Sequence, residues 1–65
     1  MKNVINSPSR QSAVDSCAQF LSYFPYRHAA IVQMGGGGWG FVTGKTMARI
    51  NNVARSGCKV WLVSK

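Results

Sequence analysis

Asp15 is the only acidic side chain in 65 residues, set against eight lysines and arginines for a net charge of +7. Most of those bases (Lys2, Arg10, Arg27, Lys45, Arg49, Arg55, Lys59, Lys65) have no carboxylate to pair with inside the chain. With pI near 10.3, the uncompensated field favours polyanions: nucleic acid first, an acidic protein surface second. A lone acid also excludes paired-carboxylate chemistry. The only histidine, His28, has no second histidine or acid cluster beside it, so no metal site or cofactor is expected. Catalysis by His28 with Lys45 or Arg27 would leave only Asp15 to orient the imidazole. The chain is read as a binding protein and not an enzyme.

Long apolar runs are missing too. No stretch approaches the roughly 18 apolar residues that cross a membrane, and Lys2, Asn3, Asn6, Ser7 and Pro8 leave no room for the apolar core of a signal peptide. Membrane insertion is not expected, and the setting is read as cytoplasmic. The two cysteines, Cys17 and Cys58, fall at core positions of a helix and a strand, where a free thiol packs as a small hydrophobe.

What is present fits one small domain, residues 1–65, with an apolar share of 46%. A chain this short buries only about 60% of its unfolded surface, so dimerisation would add needed burial. Residues 1–7, with Val4 and Ile5 as their apolar anchors, read as an arm or short strand. Ser7-Pro8 or Ser9 starts a helix running to Tyr23, with Val14, Cys17, Leu21 and Phe24 on one stripe, widened by Ala13, Ala18 and Phe20. Pro25 stops it. Residues 28–34 are apolar on both pleat faces and suit the middle of a sheet. Residues 39–43 pair with them across the glycine run, forming a hairpin with a loose loop. A second helix, capped by Thr43 or Thr46, carries Met47, Ile50, Val53 and Ala54 inward and ends at Gly57. Residues 58–65 alternate, with Cys58, Val60 and Leu62 on one face and Lys59, Trp61, Val63 and Lys65 on the other.

The expected architecture is therefore α+β in the order α-β-β-α-β. Its sheet is three-stranded and antiparallel, ordered 39–43, 28–34, 58–64, with both helices on one face and the other face open.

The glycine-rich stretch invites a phosphate-loop reading, but G-x-x-x-x-G-K-[ST] ending at Gly44-Lys45-Thr46 needs glycine where Trp39 stands. Trp39-Gly40-Phe41-Val42 instead resembles the octapeptide on the third strand of the RNA-recognition motif. Aligned on Gly38, the chain matches at Gly38, Gly40, Phe41 and Val42 and departs at Gly37 and Gly44. That resemblance implies a base-stacking role for Trp39 and Phe41 on an open sheet face. The same surface follows from alternation alone, which turns Trp61 outward with Lys59 and Lys65, aromatics interleaved with bases. Lys45, Arg49 and Arg55 add a basic row along the second helix, near backbone donors at its N-terminus. The expected interface is thus Trp39, Phe41, Lys45, Arg49, Arg55, Lys59, Trp61 and Lys65. The alternative is a protein-interaction module or inhibitor that uses the open sheet face as a homodimer seam or against an acidic partner.

Overall fold

A computed structural model describes residues 4–24 and 28–63. The expected stop at Pro25, the first residues of the amino-terminal arm, and Lys2, Arg27 and Lys65 lie outside the described residues. The elements are β1 (Ile5–Ser7), α1 (Arg10–Tyr23), β2 (His28–Gln33), β3 (Trp39–Gly44), α2 (Ala48–Arg55) and β4 (Lys59–Val63). The protein is a small α+β domain with two helices and a four-stranded antiparallel sheet ordered β1-β3-β2-β4. The three expected strands keep their order. The fourth, β1, adds outside β3, pairing Ile5 with Phe41 and Ser7 with Trp39.

The helices lie on opposite faces, which corrects the expectation of one covered face. Ala13, Cys17 and Leu21 of α1 pack on Ala29, Ile31 and Phe41. Ile50 and Val53 of α2 pack on Ala30, Val32 and Val42. Successive strand residues point to opposite faces, so these two sets cannot share one. The topology explains why. The β1-α1-β2 connection steps over β3, and β3-α2-β4 steps over β2 in the same direction across the sheet. The two strand pairs run in opposite senses, so crossovers of a common hand must use opposite faces.

Local chemistry sets the ends. Ser9 caps α1, its Oγ accepting the Ser12 backbone N–H at 3.1 Å. The α1 stripe is rotated from the expected one, leaving Val14 and Phe24 exposed while Ala13 is buried. Thr46 Oγ1 accepts the Ala48 N–H at 3.3 Å at the start of α2, whereas Thr43 is buried in β3. Gly57, at φ +97°, ends α2 as expected. Burying Ile50 and Val53 contributes about 1.5–3 kcal/mol each.

The hairpin is tighter than a loose loop. Gly37 N–H donates to Met34 O at 2.9 Å and Met34 N–H to Gly38 O at 2.8 Å, and Gly37 alone in this loop has a positive φ, +88°. This is the three-residue hairpin connection closed by a left-handed residue. Gly40 serves a different purpose. A Cβ there would sit 2.6 Å from Ile5 O and 2.7 Å from Val4 Cγ1, so its bareness lets β1 cross and seats Val4 on the α2 face.

Candidate nucleic-acid interface

Cross-strand register assembles the corner next to the hairpin. Ser7, Trp39, Gln33 and Lys59 are aligned across β1, β3, β2 and β4 and share the α1 face. Neighbouring strands are about 4.8 Å apart, which puts the Trp39 and Lys59 backbones about 10 Å from each other. Trp61 is one pleat further along β4, opposite Ile31 on the same face. It reaches diagonally to Trp39, the ring centroids 5.7 Å apart and the planes inclined by 31°. Arg10, the first residue of α1, brings its guanidinium carbon to 6.0 Å from the Trp61 ring, at the outer limit of a cation–π contact. Trp39 is half-buried against the α1 core, and Trp61 keeps 40% of its surface exposed.

Three of the expected interface residues therefore meet here: Trp39, Lys59 and Trp61. Phe41 does not join them. It is 2% exposed beneath α1, edge-on to Phe20 at 5.9 Å, and is a core residue with no ring face to offer a base. The open sheet face on which Trp39, Phe41 and Trp61 were to lie is absent, because α1 occupies it. The partner docking or homodimer seam assigned to that face loses its surface with it.

Lys45, Arg49 and Arg55 are all exposed. Lys45 sits between β3 and α2, and Arg49 and Arg55 lie on α2, on the other side of the sheet from the two tryptophans. The Arg49 stem runs past Gly44, where an added Cβ would lie 3.6 Å from Arg49 Cδ. These bases lie apart from the tryptophan corner. Lys65 is outside the described residues.

Sequence reasoning passed over Arg10. Its signal was its position: a base at the first residue of a helix with no acid in its first turn. The helix dipole disfavours a cation there, so a compensating partner was to be sought. The chain's one acid does not supply it in the structure, since Asp15 accepts a hydrogen bond from Gln11 Nε2 at 3.0 Å on the exposed side of α1.

Beside the cluster, Gln33, Met34, Gly35, Gly37, Gly57 and Lys59 line a groove of about 250 Å³. Lys59 belongs to both, so a polyanion crossing the tryptophans would find bare glycine backbone next to a cation.

Other reactive groups lie elsewhere. Both cysteines are free, and burial pushes the Cys17 thiol above its ordinary value, away from nucleophilic use. Among the described residues, no three His, Cys, Asp or Glu side chains gather to hold a metal ion, and no helix is long and apolar enough to cross a membrane. No protein-family model, curated protein or solved structure matches the chain.

Proposed function

We propose that the protein binds single-stranded nucleic acid, without catalysing a reaction on it, through the corner formed by Trp39, Trp61, Arg10 and Lys59. The observation that carries this reading is the contact of two partly exposed tryptophans, 5.7 Å apart, flanked by a guanidinium and an exposed lysine in a chain of net charge +7. Aromatic rings stack on bases of any sequence, and the cations follow the phosphates. Lys45, Arg49 and Arg55 supply long-range attraction from the far side of the sheet. The two free thiols suit a reducing, cytoplasmic compartment.

Tryptophan fluorescence titrated with oligodeoxythymidylate or oligouridylate tests the proposal. Binding should weaken with salt at a log–log slope of about 0.7 per neutralised phosphate. Trp61→Ala should weaken binding by about 5- to 150-fold, the range of one lost stacking contact of about 1–3 kcal/mol. Lys59→Ala should lower the slope by about one phosphate's share, while Arg55→Ala should matter less. Absence of binding at about 50 mM salt would refute the reading. An effect of Arg49→Ala and Arg55→Ala larger than that of Trp61→Ala would move the interface to α2.

A further inference from the structure

We propose that a second copy of the chain docks on the outer edge of β4, and that the nucleic-acid surface is completed across this seam. The second half rests on the binding reading above; the first does not.

The strand order leaves two edges, β1 and β4. Edge strands present unpaired backbone donors and acceptors, and proteins blunt them with short length, proline, bulges or central charges. β1 is blunted by length, at three residues. β4 has five, Lys-Val-Trp-Leu-Val, with no proline or glycine and a charge only at its first position. It exposes large apolar side chains on both faces: Trp61 on the α1 face and Leu62, 67% exposed, on the α2 face. Val14, one turn after Arg10 along the same flank of α1, is exposed as well.

The strand is its own complement. Antiparallel pairing of two β4 strands about a two-fold axis at Trp61 uses all five residues. It sets Trp61 beside its counterpart and Val60 opposite Leu62 of the second copy, twice, on the α2 face. Such apolar cross-strand pairs contribute about 0.2–1 kcal/mol each. Lys59 falls opposite Val63, so the two Lys59 residues stand about 13 Å apart along the strands. That exceeds the screening length of about 8 Å at physiological salt. Two sheets of four strands become one whose only edges are the short β1 strands.

The axis of such a pair is perpendicular to the sheet, so both α1 faces lie on the same side. Trp61 of each copy then meets at the centre, flanked outward by Arg10, Lys59 and Trp39 from both chains. A single strand of nucleic acid crossing the seam contacts twice the aromatic and cationic groups that one chain presents.

Light scattering and sedimentation equilibrium of the full chain test the seam without nucleic acid. A particle of twice 7.1 kDa is expected at about 100 μM. Its dissociation constant should fall as salt screens the like charges, whereas oligonucleotide binding should weaken, so the two equilibria move in opposite directions. Leu62→Lys should weaken the dimer by at least about tenfold with an unchanged circular dichroism spectrum, since Leu62 is exposed within each chain. Ile5→Lys, on the opposite edge, should leave it intact. A monomer at about 1 mM overturns the proposal, as does a dimer that survives Leu62→Lys or is lost in Ile5→Lys. A chain that stays monomeric while an acidic peptide protects the β4 amides from hydrogen exchange gives the edge to another partner and overturns it too. A dimer that binds no dodecathymidylate leaves the seam standing and removes the nucleic-acid reading. A dimer that binds one dodecathymidylate per chain, with no loss in Leu62→Lys, refutes the shared surface.

Discussion

Gly40→Ala tests the account of how β1 is held. The added methyl would sit 2.6 Å from the Ile5 carbonyl oxygen and 2.7 Å from Val4 Cγ1. The nearer atom is backbone, so no rotamer change relieves the contact and β1 must move off β3. The move weakens a three-residue ladder, in which each bond lost costs about 0.5–1.5 kcal/mol net. It also uncovers part of Val4, whose full burial contributes about 1.5–3 kcal/mol. The lower chain entropy of alanine returns about 0.5–1 kcal/mol. A net loss of about 2–4 kcal/mol follows, against a total stability of about 3–10 kcal/mol for a domain of this length. The melting temperature should drop by about 10–25 °C, read by far-ultraviolet circular dichroism or urea unfolding. Gly35→Ala is the matched control, because nothing lies within 4 Å of its added Cβ and its φ is not positive. It should be neutral or mildly stabilising. A Gly40→Ala variant within about 0.5 kcal/mol of the parent would show that β1 is not held by this close approach.

Two further outcomes follow from local chemistry. Ser9→Ala removes the acceptor for the Ser12 N–H and should cost about 1 kcal/mol in urea unfolding, with Ser9→Asp recovering most of it. The buried Cys17 thiol, raised above its ordinary value of 9.0 by desolvation, should stabilise the fold fully below that value. Its contribution is lost as pH rises through the folded value, because the unfolded thiol ionises first. Cys17→Ala should flatten this alkaline loss, and Cys58, only partly buried, should react with a thiol reagent well before Cys17.

The parts of the fold that could be read in the residues were those with strong period or punctuation. Apolar residues on both pleats of 28–34 mark a central strand, and β2, His28–Gln33, does lie between β3 and β4. Of the two helix starts read, Ser7-Pro8 or Ser9, the structure uses Ser9, and it keeps the helix end read at Gly57. β1 was hard to read because three residues carry too few alternations to show a period, and its only deep anchor, Val4, precedes it. Residues 1–7 read as an arm or a short strand, and the expected sheet leaves that strand out. Without a strand before α1 in the sheet no crossover fixes that helix's face, and the expectation sets it beside α2. Phe41 and Trp61 were then assigned to an open surface. Trp61 retains exposure because it lies on the edge strand β4. Phe41 does not, because β3 runs between β1 and β2 under the middle of α1.

Every ladder in this sheet joins the first half of the chain to the second: β1 to β3, β3 to β2 and β2 to β4. No strand pairs within its own half, so neither half can form a sheet by itself. During synthesis the sheet should wait for the residues after the glycine hairpin to emerge, and unfolding should be a single cooperative transition with no state in which one half survives. A cut at Gly36 should give two fragments that are unstructured apart and complement one another when mixed.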